Sequence, residues 1–390
     1  MCFNVHVPYQ KGNQVTDILH IPKVVVTGGP CGGKTTGMSY CVEKLGDIGF
    51  KVFLVEEMAT RFKKAGLDLK SLSKSQFFRF EEEVLRMQLA WEDSMSRLAE
   101  DHLRTNPGSK PLVLTDRGTM DGEPYIGKER FAAIVHANYL KIPEIRDRRY
   151  NGAVHLVTAA NGAEDYYQCE NNSARWETAE QARETDEKTI KAWTGVPHLS
   201  IIDNSTDFQG KIRRTFQAMC RILGVPVPIE YERKFLVESI DWDKILHYTT
   251  VDIEQVYLFS SNEEEEIRVR KRGQDNSYIY FKTRKVQTDT LGKRLETEHM
   301  ITAAEYFDEI DAHADSMRSP VRKKRTLFPW KNQYFELDVL SHPKKHKGLI
   351  LLEIELTEEN DTVQLPPFIK VIREVTGEKE YSNAYLALSH

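Results

Sequence analysis

The sequence predicts two architectures in tandem. An α/β domain, built on a five-stranded parallel sheet with helices on both faces, precedes an α+β domain formed by a closed antiparallel barrel with a charged interior. Three observations carry this. Short, continuous apolar runs alternate with helix-like stretches through the first half, and a Gly- and Pro-bearing break follows near residue 223. Beyond the break, charged residues recur at every second position. Uninterrupted apolar strands between helices mark a parallel sheet covered on both faces, whereas period-two alternation marks strands with two unlike faces.

The apolar runs are Val24 to Thr27, Val52 to Val55, Leu112 to Thr115, Val154 to Thr158 and Leu199 to Asp203. Helix-like stretches such as Thr35 to Gly46 and Phe77 to Leu103 separate them. The string Leu223-Gly-Val-Pro-Val-Pro228 breaks the pattern, which predicts domains at 1–222 and 229–390 with a linker at 223–228. The strands that follow carry Glu230/Glu232/Lys234, Arg268/Arg270/Arg272, Tyr280/Lys282/Arg284, Glu296/Glu298, Lys323/Arg325, Glu336/Asp338 and Glu353/Glu355. If these sets faced solvent, the opposite faces would have to form the core, yet those include Lys271, Lys285, His299 and Gln333. A barrel whose interior is charged resolves the conflict, because barrel interiors can be polar and hold ligands.

The string Gly28-Gly29-Pro30-Cys31-Gly32-Gly33-Lys34-Thr35, followed by Thr36, lies between an apolar strand and a helix and matches GxxxxGK[ST]. Its glycines let the backbone wrap phosphates, and its N–H groups and the helix N-terminus stabilise their charge. Lys34 is expected on the β- and γ-phosphates and the Thr35 hydroxyl on Mg²⁺. Asp116, at the end of an apolar strand, stands where a carboxylate holds that ion. Glu56 and Glu57 end the second strand and are candidates for a base or a water-orienting group; pairing with Arg61 is the alternative. Arg175 and Arg183, eight residues apart on a helix-like stretch, suit a lid that brings guanidiniums onto phosphates, or else a solvated helix face. Asn204 and Asp207 leave the last strand, where a carboxylate could accept from guanine or simply serve a turn.

Composition narrows the function classes. A chain of 390 residues with 40% hydrophobic and 29% charged residues is globular and long enough for two domains. A net charge of −5 argues against general nucleic-acid binding. The cysteines Cys2, Cys31, Cys41, Cys169 and Cys220 lack CxxC spacing and predict reduced thiols in a cytoplasmic protein. No signal-peptide pattern opens the sequence and no apolar window spans a bilayer, so any membrane association is expected to be peripheral.

Glu230-Tyr-Glu232-Arg-Lys234 is similar to the ExExK string that opens the CYTH, or triphosphate-tunnel, family, and the later charged pairs follow in that family's order over roughly residues 228 to 390. The resemblance implies an eight-stranded tunnel. Lys234, Arg268, Arg270, Lys282, Lys323 and Arg325 would bind phosphate groups, and Glu230, Glu232, Glu353 and Glu355 would hold Mg²⁺ or Mn²⁺. The first half resembles nucleoside-kinase-like P-loop proteins through Asp116-Arg-Gly118, Arg175 and Trp193-Thr-Gly195. The fusion of the two resembles an insect family named for a TRP-channel translocation defect. That resemblance implies binding of GTP or GDP and of phosphatidic acid, and a part in moving cargo such as TRP channels and rhodopsin. The Asn-Lys-x-Asp string of GTPases is absent, which leaves guanine selectivity to an unusual pocket.

Convergent Arg and Lys suit the phosphate monoester of that lipid, and Lys344, Lys345 and Lys347 form a basic loop suited to an anionic membrane surface. Two functions compete: a nucleotide-controlled lipid reader in membrane-protein traffic, and a Mg²⁺-dependent tunnel triphosphatase, alone or joined to a nucleotide kinase.

Overall fold

The computed structural model describes residues 21–167, 178–224, 231–262, 265–274, 277–287, 294–356 and 361–388. The first half runs β1 (Lys23–Gly28), α1 (Lys34–Asp47), β2 (Phe50–Val55), α2 (Met58–Lys64), α3 (Lys74–Thr105), β3 (Lys110–Asp116), α4 (Glu123–Ile126), α5 (Lys128–Ala137) and α6 (Ile142–Ile145). It closes with β4 (Gly152–Leu156), α7 (Ala179–Trp193), β5 (Leu199–Ile202) and α8 (Phe208–Leu223). The strands form one parallel sheet in the order β2-β3-β1-β4-β5.

β1 is buried along its whole length because it is central and covered on both faces. Its alternate residues feed two cores. Val24 and Val26 join Met38, Cys41 and Leu45 of α1 and Met219 of α8, while Val25 joins Leu85 of α3, Phe131 of α5 and Trp193 of α7. Caps set the helix starts: Ser73 and Gln76 form a capping box at α3, and Thr178 and Gln181 form another at α7. The chain reverses around β1, and the strand ends beside it form the crevice in which such sheets bind ligands.

The second half contains β6 (Tyr231–Ile240), β7 (Thr249–Leu258), β8 (Glu265–Gln274), β9 (Ser277–Gln287), β10 (Arg294–Ile301), α9 (Ala303–His313) and β11 (Val321–Trp330). β12 (Gln333–His342), β13 (Ile350–Leu356), β14 (Ile369–Glu374) and α10 (Asn383–Leu386) complete it. These strands make a nine-stranded sheet, β10-β9-β8-β7-β11-β12-β13-β6-β14, with every described pairing antiparallel.

The sheet curls so that β6 to β13 all contribute to the wall of one charged cavity of about 350 Å³. β14 lies outside that ring, paired with β6. The expected charged interior is therefore present, and the apolar faces point outward. Val256, Val269 and Tyr280 lie under Tyr306 and Ile310 of α9, and Phe235 and Val237 join Phe335, Leu337 and Ile369 on the other side.

The face of β9 differs from the expectation. Arg268 and Arg270 pair with Thr283 and Phe281, and Glu266 pairs with Lys285, so Phe281, Thr283 and Lys285 face the cavity. Lys282 instead points at α9 and pairs with Glu309. Its assignment to phosphate binding is corrected: β9 carries charge on both faces, and its parity is set by pairing with β8.

Charge also braces the first domain. Glu92 of α3 is fully buried and accepts from Lys23 Nζ (3.3 Å), Gln88 Nε2 (2.7 Å), Arg149 Nε (2.5 Å) and Tyr150 OH (2.6 Å), which ties α3 to β1 and to the chain entering β4. Removing one member of such a buried network leaves the others unpaired. Glu92→Ala is expected to lower stability by about 3–5 kcal/mol, read from the urea midpoint, with the sheet's far-ultraviolet signal retained below the transition.

Candidate functional site

The turn after β1 places Gly28 and Gly29 against the body of the domain. A Cβ on Gly28 would lie 2.1 Å from Leu156 O, and one on Gly29 would lie 2.3 Å from Asp186 Oδ1, so both positions require glycine. Asp186, buried on α7, accepts from Gly29 N (2.7 Å) and Thr158 N (3.1 Å) and contacts His155 Nε2 (3.0 Å). The loop oxygen of Pro30 accepts from Thr158 Oγ1 (2.5 Å), and Cys31 holds φ at 56°. Gly33 caps α1, leaving the first helical amides and the exposed Thr35 and Thr36 at a free N-terminus.

Lys34 Nζ reaches Gly28 O (3.1 Å) and Gly29 O (3.0 Å). Burial, then the neighbouring Arg117, push its pKa down to about 8.

Asp116 ends β3, paired in register with Val26 of β1, so its carboxylate flanks the loop. Its Oδ1 is buried without a hydrogen-bond partner, and burial, then Glu57, push its pKa up to about 6. An orphaned, buried carboxylate oxygen is a donor of the kind that suits a hard divalent cation.

The candidates Glu56 and Glu57 separate. Glu56 is at the surface, 3.5 Å from Arg61. Glu57 turns inward, accepting from Arg117 Nε (2.8 Å) and Thr60 Oγ1 (2.5 Å). Burial alone would raise its pKa, but the Arg117 guanidinium and the Thr60 hydroxyl outweigh it and hold the pKa at about 2. Arg117, in left-handed backbone at φ 63°, bridges Glu57 and Asp121 (3.0 Å) beside Lys34 and Asp116. Sequence reasoning did not single out Arg117, Asp121 or Asp186. The string Asp116-Arg-Gly118 was the available signal for the first.

The lid and base candidates have other attachments. Arg175 lies outside the described residues. Arg183 donates to Ala160 O (2.6 Å) and lies 3.6 Å from Glu164, joining α7 to the loop after β4. Asn204 donates to Thr158 O (2.8 Å) and Asn161 O (2.7 Å) and accepts from Lys211 Nζ (2.7 Å). Asp207 caps α8 by accepting from Gly210 N (2.7 Å). Phe208, which follows it, is 48% exposed and lies against Gly33.

The second cavity lies inside the curled sheet. Cross-strand register sets its wall: Arg325 opposite Asp338, Glu336 opposite Glu353, Glu353 opposite Lys234, and Glu355 opposite Glu232. Lys234 Nζ lies 2.9 Å from Glu353 and 3.3 Å from Glu232. Arg325 forks onto Asp338 (2.7 Å) and Glu353 (2.7 Å) and also reaches Glu336. Lys323 is buried against Asp338 (2.5 Å), and Arg270 pairs with Glu298 (2.6 Å).

Burial would raise the Glu353 carboxyl, but Lys323, Lys234 and Arg325 hold it far below the ordinary range, and Arg270 does the same for Glu298. Glu232 moves the other way, raised by burial and by Glu353. Arg268, Arg272 and Lys285 complete the basic wall. Glu230 lies outside the described residues, among which no three His, Cys, Asp or Glu side chains converge as a metal cage. Glu232 and Glu355 are nevertheless oxygen donors facing each other across neighbouring strands, the chemistry that Mg²⁺ or Mn²⁺ takes.

Glu81 of α3 is buried in the first domain. Burial pushes Glu81 up to about 8 from the ordinary carboxylate value of 4.5, and nearby Asp121 reinforces the shift against Arg117. Its protonated form favours the fold below pH 4.5, and that contribution is lost as pH rises toward 8. Glu81→Gln, neutral throughout, is expected to stabilise the protein by about 1–3 kcal/mol at pH 9 and by nothing measurable at pH 4, read from paired denaturation curves.

Comparison with known proteins agrees with both halves. An AAA domain model matches residues 23–211 and a CYTH domain model matches residues 228–384. An inorganic triphosphatase of Nitrosomonas europaea is 32% identical over 167 residues, which cover 41% of this chain and 97% of that protein. An inorganic triphosphatase of Acetivibrio thermocellus is 29% identical over 157 residues, covering 40% of this chain and 92% of that one. A solved crystal structure of an inorganic triphosphatase aligns at 30% identity over 42% of this chain and 96% of its own, with a TM-score of 0.31. The chain belongs to the CYTH family and carries its CYTH domain behind a P-loop domain of the AAA type.

Proposed function

We propose that the tunnel binds the triphosphate group of an inorganic or nucleoside triphosphate and hydrolyses it with a divalent cation, while the P-loop binds a nucleoside triphosphate as a separate event. The observation that supports this reading best is the cavity wall of Lys234, Arg268, Arg270 and Arg325, in which Lys234 and Arg325 pair with Glu353 and Arg270 pairs with Glu298. Side chains that face one another across a cavity and are charged on every side suit a chain of phosphates, whose oxygens exchange with the carboxylates as partners of the basic groups. The names of the two relatives point the same way.

In the reaction, water adds its oxygen to a terminal phosphorus, the bridging P–O bond breaks, and phosphate and diphosphate leave. The basic residues bind and align the anion, and Glu232 and Glu355 are placed to hold Mg²⁺ or Mn²⁺, which would neutralise the charge on the phosphate oxygens. At the P-loop, Lys34, Thr35 and Asp116 would hold the nucleotide phosphates and a divalent cation, and Glu57 keeps Arg117 oriented beside Lys34 and Asp116.

A second reading has the tunnel receive the phosphate monoester of phosphatidic acid under GTP control, in the transport of membrane proteins. In its favour are the exposed Lys344, Lys345 and Lys347, with Trp242 and Tyr248 exposed on the same domain. No described helix is long and apolar enough to cross a membrane. The two readings separate on vesicles: phosphatidic-acid liposomes that retain the protein only with GTP favour the lipid reader.

Phosphate release from tripolyphosphate and from nucleoside triphosphates, with Mg²⁺ and with Mn²⁺, tests the triphosphatase directly. Lys234→Ala and Glu353→Gln are expected to cut the rate by about 10²–10³-fold while Lys34→Ala leaves tripolyphosphate cleavage intact. Absence of phosphate release with every substrate and both cations contradicts the triphosphatase reading. Separately, Lys34→Ala is expected to weaken nucleoside-triphosphate binding at least tenfold, read by a fluorescent nucleotide analogue.

A further inference from the structure

The cavity inside the curled sheet is not walled by the second domain alone. Asn151, Pro197, His198, Leu199 and Arg221 of the first domain line it together with the tunnel's basic residues. The run between α7 and β5 brings them there. Thr194 O accepts from Arg146 NH1 (2.5 Å) within the first domain and from Thr249 Oγ1 (2.9 Å) of β7. Gly195 N donates to Tyr334 OH (3.1 Å) of β12, and Gly195 O accepts from Arg272 NH2 (2.8 Å) of β8. With the backbone fixed at Thr194 and Gly195, the His198 imidazole enters the cavity, its Nε2 3.7 Å from Glu298 Oε1.

Glu298 is already partnered. It accepts from Arg270 NH2 (2.6 Å) and Thr283 Oγ1 (2.7 Å), so His198 joins a carboxylate whose main ion pair is with a residue of the phosphate-binding wall. The imidazole keeps 39% of its side chain exposed, so it is open to a ligand in the cavity. Residue 198 also lies outside the span that matches the CYTH domain, 228–384, and the triphosphatase relatives match only about two fifths of the chain.

We propose that the tunnel of this chain is a composite site, in which His198 from the first domain is a binding residue that donates a hydrogen bond to a phosphate of the bound chain. Glu298 orients the ring, and Arg270 meets the same carboxylate oxygen, Oε1, so an incoming phosphate meets an imidazole and a guanidinium aligned by one shared acid. The charged groups facing the imidazole are Glu298 of β10, Glu355 of β13 and Arg270 of β8. Burial alone would disfavour the imidazolium, and the carboxylates outweigh burial and Arg270, which keeps the ring a donor. The first domain thereby contributes to the affinity of the second, a role open only to a chain that carries both.

The proposal rests on the tunnel reading above, and its test uses the full-length chain. Tripolyphosphate hydrolysis is measured for wild type, His198→Ala, His198→Gln and Lys234→Ala, with thermal melting of each as a check on folding. A donor role predicts a KM about tenfold higher for His198→Ala with kcat within about twofold, and partial recovery of KM in His198→Gln, whose amide can still donate. Calorimetric titration of tripolyphosphate without divalent cation is expected to show the same weakening of affinity. If wild type and His198→Ala bind and turn over tripolyphosphate identically while Lys234→Ala is impaired, the tunnel reading stands and the composite site is overturned. If wild type neither binds nor cleaves tripolyphosphate, the tunnel reading falls and the composite site falls with it. A rise in KM in His198→Ala that tracks a lowered melting temperature and is not recovered in His198→Gln marks a structural contact and also overturns the proposal.

Discussion

A charge enclosed by a folded sheet must find a partner, and that constraint organises the second half of this protein. Lys234, Lys323 and Arg325 could not be buried on β6 and β11 without Glu353 and Asp338 on the strands between, and the register that pairs those strands aligns the acids with the bases. Once the cavity face is charged, the outer face must supply the apolar core, which is why α9 lies on β7, β8 and β9 and why β14 packs beside β6. Fold and binding chemistry thus have one cause. The acids that make the curled sheet foldable are the partners of the basic groups in its cavity.

The first domain obeys the same electrostatics in a different frame. A parallel sheet ends in a crevice where backbone amides and a helix N-terminus favour anions. Around it burial holds Lys34 below, and Asp116 above, their ordinary ranges. α7 serves both halves. Asp186 near its middle fixes Gly29 of the phosphate loop, Trp193 at its end donates to Asp121 (3.3 Å), and the next residues touch β7, β8 and β12 of the tunnel.

Much of this was legible in the sequence because it is local. Strand-to-helix context marked Gly28 to Thr35, and period-two charge marked the curled sheet with its charged cavity. What escaped is set by tertiary pairing. Tyr280/Lys282/Arg284 and Phe281/Thr283/Lys285 are alternate faces of one strand, and nothing within β9 says which faces the cavity; pairing with Arg268 and Arg270 decides it. Asp207 follows a strand and precedes a helix, a place where a cap and a base contact read alike, and the structure shows the cap. Glu57 and Glu56 are neighbours in sequence, but only Glu57 finds Arg117. His198 carries no motif at all, since its significance comes from a strand one hundred residues later. Arg175 and Glu230 lie outside the described residues.

The central claim is that the cavity inside the sheet is a phosphate-chain site distinct from the P-loop, and locating the ligand tests it most directly. A crystal structure of the Lys34→Ala chain grown with tripolyphosphate and Mn²⁺ is expected to show the anion inside the tunnel, against Lys234, Arg268, Arg270 and Arg325. Tripolyphosphate found only at the P-loop turn or on the outer surface, with the Lys234–Glu353 and Arg325–Asp338 pairs undisturbed, would contradict the account.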